Sequence, residues 1–277
     1  MPILHSSTDV GPADLVDTER YRFDDAQLVA SSNRQFAEEG VCVLPGFLRA
    51  DAVALLVAEA DALAPLAHRA HSRATPYLAA PDDSFPEGHP RRTLVHSAVE
   101  AVAYDLFPPD SLLRRLYEWD PLKDVVGAIL GQPVLHRYAD PFGALNLAVM
   151  RDGDLLGWHF DMTDFVVSIA LQSSIGGGHF LNAKQLRTAE DECYAAVADV
   201  IAADDASPRV RTEPMTPGTL MVFNGRNSMH KVSPIEGSLP RYVALLAYDT
   251  KVGTDSSRAL KLSRYGRLPA DPAGAQQ

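Results

Sequence analysis

The chain has 277 residues, 46% of them hydrophobic, and a formal net charge of −11 at neutral pH. That is ample apolar material for a core, and the acidity argues against nucleic acid as a partner, since a phosphate backbone needs clustered Lys and Arg. No run of about 18 or more apolar residues would span a bilayer, no signal-peptide pattern opens the chain, and Cys42 and Cys193 make no disulfide framework; the expectation is a cytoplasmic protein without a membrane partner.

Residues 1–22 are polar and unpatterned and read as a loose arm. Residues 23–39 read as a helix with Leu28, Val29 and Phe36 on its apolar side, ended by Gly40. A short buried strand follows at Val41–Leu44, stopped by Pro45 and Gly46, and then a second helix over 50–67. Residues 68–92 hold Pro76, Pro81, Pro86 and Pro90 and show no periodicity. A loop of that length in a compact domain is functional or simply solvated, and a lid over a site is one reading. A short helix is predicted over 97–106, then helices over 111–117 and 121–130, the last closed by Gly131.

From residue 133 the pattern changes to short strands. The strand over 144–151 places Leu145, Leu147 and Val149 on one face and Asn146, Ala148 and Met150 on the other. Further strands are predicted over 164–172, 178–182, 209–213, 219–223, 229–232 and 241–248. One helix interrupts them over 190–203, with Cys193, Val197, Val200 and Ile201 at helical spacing. Many short strands with Gly and Pro turns indicate a sandwich or barrel, and a double-stranded β-helix, the jelly-roll or cupin-like core, suits the ligand pattern below. The expectation is a mainly β chain with helical additions in one domain: arm 1–22, helical support 23–132, jelly-roll core 133–250, and a tail over 251–277.

The core is organised around Gly157-Trp158-His159-Phe160-Asp161. Side chains two apart on a strand share a face, so the imidazole of His159 and the carboxylate of Asp161 can converge. They would be two thirds of the facial triad of non-heme Fe(II) oxygenases, and His230 is the candidate for the third ligand. With nine histidines, one such His-Asp pair is expected by chance. The ordered surroundings lift it above chance. After it come the apolar run 165–171, the triple glycine Gly176-Gly177-Gly178 before Phe180, and a Pro217-Gly218 turn feeding a strand to Phe223. Phe223-Asn224-Gly225-Arg226 follows, then His230-Lys231-Val232-Ser233-Pro234, and finally Arg241 opening an apolar strand. An arginine entering a buried strand needs an anionic partner, and its planar fork suits a carboxylate.

This set resembles the Fe(II)- and 2-oxoglutarate-dependent dioxygenases over residues 135–250. Within them it is most similar to the branch of free-amino-acid hydroxylases and halogenases. The resemblance implies Fe(II) held by His159, Asp161 and His230, with O2 as oxidant and 2-oxoglutarate as cosubstrate. Arg241 would take the distal carboxylate of the oxo acid; Asn146 could reach the same ligand from a neighbouring strand, and Arg226 is a rival for the charge. Many relatives have a Ser two positions after that arginine, where this chain has Val243, so the second carboxylate contact is unassigned. Halogenating relatives replace the triad carboxylate with Gly; Asp161 therefore favours hydroxylation of an unactivated C–H bond, with halogenation, desaturation or cyclisation as other outcomes. The substrate implied is a small molecule, an amino acid or derivative, acted on by a monomer or homodimer. His136, Asp140, Trp158, Asp164 and Asn182 lie near the site by strand order, and Asp140 or Asp164 could pair with an ammonium. Leu156 stands where lysine-acting relatives have a His, so a less polar side chain is expected. Two rival readings exist. A jelly-roll binding module without chemistry has no need of all four of His159, Asp161, His230 and Arg241, and a cupin-type metalloenzyme without an oxo acid gives Arg241 no task.

Overall fold

The computed structural model describes residues 10–270. The support region starts earlier than its composition suggests. Pro12–Leu15 is a single helical turn, α1, and Leu15, Val16 and Tyr21 are buried, so residues 10–22 are a packed segment and not a loose arm; residues 1–9 of that expected arm lie outside the described residues. Helix α2 spans Ala26–Glu39, capped by the Asp25 carboxylate, which accepts from the backbone N–H of Gln27 and Leu28. Strand β1 is Val41–Leu44 and helix α3 is Ala50–Leu63. The carboxylate of Glu59 on α3 accepts from the N–H groups of Leu112 and Leu113, which fixes the start of α4, Leu112–Glu118, against it. Helix α5 is Asp120–Leu130.

Two elements within this region depart from expectation. His68–Ala74 is strand β2 and Val95–Val102 is strand β3, and the two pair along their whole length. The non-periodic loop is thus confined to residues 75–94, and the helix predicted over 97–106 is strand, with one 3-10 turn at Tyr104–Leu106. The reason is non-local. Residues 95–102 (VHSAVEAV) fit either period, and their partners decide. Glu100–Val102 pairs with β5, Leu145–Met150, while Ser97 and Ala98 pair with β6, Leu155–His159.

The remaining elements in chain order are β4 His136–Arg137, β7 Val166–Gln172, β8 Gly176–Gly177, β9 Phe180–Ala183 and α6 Tyr194–Ala203. They are followed by β10 Arg211–Glu213, β11 Leu220–Phe223, β12 Met229–Val232, β13 Ile235–Glu236, β14 Arg241–Leu246, β15 Tyr248–Asp249 and α7 Arg258–Tyr265. The main sheet runs β1-β11-β7-β14-β5-β3-β6-β12-β9-β10, with β2 added on β3, and its pairings are antiparallel. Because β3 joins β5 to β6, the sheet rolls nearly closed into the double-stranded β-helix that the strand pattern implied. Helix α7 is the last departure. Residues 251–270 do not trail off: Ser257 caps a helix whose Lys261 and Tyr265 are buried, the ammonium between Asp255 and Asp140 and the ring against Phe142. Residues 271–277 of the expected tail lie outside the described residues.

The alternation along β5 divides its environment. Leu145, Leu147 and Val149 join Val167, Ile169 and Val222 in the core under α1 to α5. Ala148 and Met150 face the inside of the roll. On the opposite side, Trp158, Leu181 and Met229 turn outward and are covered by Val197 and Val200 of α6. Both sheet halves are thereby sealed on their outer faces, and the interior is left for the site.

Candidate metal centre and active site

His159 ends β6, His230 lies in β12, and the two are direct cross-strand partners with ring centroids 4.3 Å apart. Asp161 follows just past the strand end. Its backbone N–H donates to Gly225 O at 2.9 Å, and that of Phe160 donates to Pro76 O at 2.8 Å, which folds the chain back so the carboxylate meets both rings. The Nε2 atom of His159 is 3.7 Å from Asp161 Oδ1, and that of His230 is 3.3 Å from Asp161 Oδ2. One ligand atom from each residue lies within 4.8 Å of the others.

The hydrogen bonds behind the rings decide what this cluster is. His159 Nδ1 lies 2.8 Å from Gly157 O, and His230 Nδ1 lies 2.9 Å from Ser228 O. A carbonyl oxygen only accepts, so each Nδ1 carries the proton and each Nε2 presents a lone pair. Burial pushes the imidazolium of His230 down to about 4, which keeps that ring neutral. Two nitrogen lone pairs therefore face a carboxylate whose buried Oδ2 has no hydrogen-bond donor. Acceptors converging with no proton between them fit a cation, and the two-nitrogen, one-oxygen set suits a divalent transition metal. Gly225 keeps the space open: a Cβ there would sit 2.1 Å from Asp161 Oδ2. The rings of Phe180 and Phe223 flank His230 at 5.4 and 4.9 Å and keep water from its side.

Arg241 opens β14 and projects into the same interior cavity, of about 110 Å3. It is 7% exposed, and among the described residues its hydrogen-bond contact is the weak acceptor Met150 Sδ at 3.9 Å. Burial alone depresses its guanidinium to about 10, so it remains a cation in a largely apolar place, with no ion-pair partner among the described residues. Gly178 gives it room, since a Cβ there would lie 3.0 Å from Arg241 Cδ.

Several expected site residues stand elsewhere. Trp158 is one position from His159 and so faces the other side of the sheet, where its indole donates to Asp204 Oδ1 at 2.7 Å. Asp140 is buried at the turn before β5, bonded to the N–H of Phe142 and facing Lys261, and anchors α7. His136 pairs with Asp249 across β4 and β15 and lines neither the interior cavity nor the open groove bordered by Met162 and Asp249. Asp164 and Arg226 pair with each other at the rim of that open groove, of about 620 Å3, so Arg226 is not the interior cation. Asn182 is next to His230 in the sheet, but its amide donates to Glu213 at 3.4 Å and its Oδ1 is buried without a donor. Asn146 faces inward yet accepts from Arg264 at 3.0 Å, four residues from the Met150 that touches Arg241. Arg264, on α7, lines the same cavity as the triad and was hidden in the expected tail; the signal for it was the capped helix, Ser257 before and Gly266 after.

A family model described as Halogenase D matches residues 23–261. The chain belongs to the Halogenase D family. No match was found among curated proteins. Solved structures share the fold at low identity. The chain is similar to the epimerase SnoN, solved in complex with Fe3+, alpha ketoglutarate and nogalamycin RO (18% identity, 90% of this chain and 94% of that one, TM-score 0.55). HygX from Streptomyces hygroscopicus, solved with nickel, 2-oxoglutarate and hygromycin B, matches at 14% identity over 81% of this chain and 88% of that one, TM-score 0.55. A 2OG-Fe(II) oxygenase family oxidoreductase from Burkholderia pseudomallei matches at 16% identity over 82% and 92%, TM-score 0.51.

Proposed function

We propose that this Halogenase D family member is an Fe(II)- and 2-oxoglutarate-dependent oxygenase that hydroxylates an unactivated C–H bond of a small molecule, an amino acid or a derivative of one. The supporting observation is a single cavity that holds three convergent metal acceptors and an unpaired buried guanidinium. His159 Nε2, Asp161 and His230 Nε2 would hold the metal, and Arg241 would take the distal carboxylate of the oxo acid through its bidentate fork. With oxo acid and O2 bound, the metal supplies the oxidising power for C–H cleavage while the oxo acid is decarboxylated to succinate. The chain orients and shields: Phe180, Phe223 and Met221 exclude water from the cavity. Asp161 bears on the choice of outcome. Its carboxylate fills the ligand position that halogenating relatives leave to a halide, which favours hydroxylation over the halogenation its family description suggests.

The experiment is anaerobic loading with Fe(II) and 2-oxoglutarate, addition of an amino-acid panel, then O2 and mass spectrometry. Succinate together with a product one oxygen atom heavier is expected. A chlorinated product in the presence of chloride would move the reading to halogenation, and no substrate-dependent succinate from any panel member would sink the oxygenase reading.

A further inference from the structure

One side chain outside the cavity touches both segments that place Asp161. Arg187 follows β9, and its backbone N–H and that of Leu186 donate to Asn227 O at 3.2 and 2.8 Å, which lays these residues along the turn that leaves β11. The side chain is largely buried, and its guanidinium lies 4.1 Å over the ring of Phe160, the residue between the proposed ligands His159 and Asp161. Its Nε donates to Arg226 O at 2.7 Å. The next residue back is Gly225, whose carbonyl accepts from the Asp161 N–H at 2.9 Å.

The surroundings fix this guanidinium in place. Glu192 divides its carboxylate between two arginines: Oε2 accepts from Arg187 Nη1 at 2.9 Å and Oε1 from Arg91 Nη2 at 3.2 Å. Arg91 lies 4.6 Å over the ring of Tyr77, which stacks on Phe160 at 5.5 Å, while Pro76 O holds the Phe160 N–H. Phe160 is thus gripped in the outer cluster, and its two neighbours line the cavity within the roll. A guanidinium can stack on a ring and donate in its own plane at the same time, which an ammonium, lacking a fixed plane, does less well.

The two histidines have other supports. They are direct partners in the ladder between β6 and β12, and each Nδ1 is held by a backbone carbonyl. Asp161 lies past the end of β6, and its Oδ2 has no hydrogen-bond donor. A ligand outside the ladder takes its direction from whatever holds its backbone.

We infer that Arg187 is a positioning residue for the carboxylate arm of the metal centre. By tying Phe160 to the Arg226 carbonyl it keeps the Asp161–Gly225 backbone bond closed and so aims Asp161 at the two Nε2 atoms. This rests on the metal assignment in the oxygenase reading above. Because Arg187 acts through Asp161, its effect on metal binding must vanish once the carboxylate is gone.

The test is a double-mutant cycle on the full chain, read as Ni(II) affinity by calorimetric titration. Arg187→Gln should weaken Ni(II) by about 10- to 100-fold, the loss expected when the outer support of a ligand is removed. With Asp161→Ala already present it should weaken Ni(II) by less than about twofold. Arg187→Lys should fall between wild type and Arg187→Gln. At saturating Co(II), the visible spectrum of Arg187→Gln should move toward that of Asp161→Ala, a change that a general loss of stability does not produce. An equal loss in both backgrounds, no loss in either, or a Co(II) spectrum identical to wild type overturns the inference. Should Arg187→Gln not fold, the cycle run with Arg187→Lys decides on the same terms, and a chain that folds with neither substitution makes Arg187 part of the fold and overturns it too. An Asp161→Ala protein that binds Ni(II) as tightly as wild type refutes the metal assignment separately.

Discussion

At the scale of single residues, the site is defined by what has been left without a partner. Asp161 Oδ2 faces two lone pairs, and Gly225 is the residue that lets it do so. Gly225→Ala places a methyl 2.1 Å from that oxygen, closer than any real contact, so the carboxylate must swing away. Ni(II) affinity should fall by roughly tenfold or more, since one of three ligands is displaced, with the fold retained. An unchanged affinity in equilibrium dialysis would remove Asp161 from the ligand set. Arg241 gives the converse test. Its guanidinium is buried without an anion, so Arg241→Ala should leave the melting temperature of the cosubstrate-free protein unchanged or raise it. The same variant should weaken 2-oxoglutarate by about 30-fold or more, because the lost buried charge contact is worth on the order of 2–5 kcal/mol. A variant that melts lower and binds the oxo acid normally would make Arg241 a structural residue.

At the scale of elements, legibility followed how local the deciding interactions are. β1 was readable as a short apolar run closed by Pro45 and Gly46, and β5 and β12 as short strands between turns; all three are buried on both faces, so short runs bounded by turns, more than a strict period of two, marked them. β2 was not, since HRAHSRA is a largely exposed, polar strand whose pairing with β3 and ion pair from Arg69 to Asp154 are both non-local. β3 was misread for the related reason that its three partners are distant in the chain. That His159, Asp161, His230 and Arg241 share one cavity was legible as an ordered pattern. Trp158 was misplaced although its neighbour's alternation already excluded it from the site, and Asp140 was misplaced because its partner, Lys261, lay in a stretch read as tail. Helix α7 is polar in composition, and besides its caps the pairing of buried Lys261 with Asp255 and Asp140 and the packing of Tyr265 on Phe142 tell it from a solvated end. Lys261→Ala leaves Asp140, 1% exposed, as an uncompensated buried charge, which costs about 3–5 kcal/mol. The variant should melt lower and exchange amide hydrogens faster over Arg258–Tyr265. Protection of α7 equal to wild type would show that Lys261 does not anchor it.

At the scale of the whole molecule, the His159-Asp161-His230 cluster is a clip between the two halves of the roll. His159 and His230 belong to the half built on β6, β12 and β9. Asp161 is tied through its backbone to Gly225, in the loop that leaves β11, a strand of the other half. Without a cation, three acceptors face one another at this junction, and the halves meet there through the apolar cluster of Met150, Met221 and Phe223 with Phe180 and Val232. Metal binding should therefore stabilise the global fold and not just the local loop. Saturation at about 100 times the dissociation constant adds about 2.7 kcal/mol. For a chain of this size that corresponds to a rise in melting temperature of roughly 5–10 °C, removed by a chelator. His230→Ala should melt close to the metal-free wild type in the absence of metal and lose most of the rise in its presence, because the clip then has one jaw in the β12 strand missing. Calorimetric melts with Ni(II) and with EDTA decide it. An equal rise for wild type and His230→Ala would place the stabilising ion elsewhere on this acidic chain, and the junction would then be held by packing without a metal.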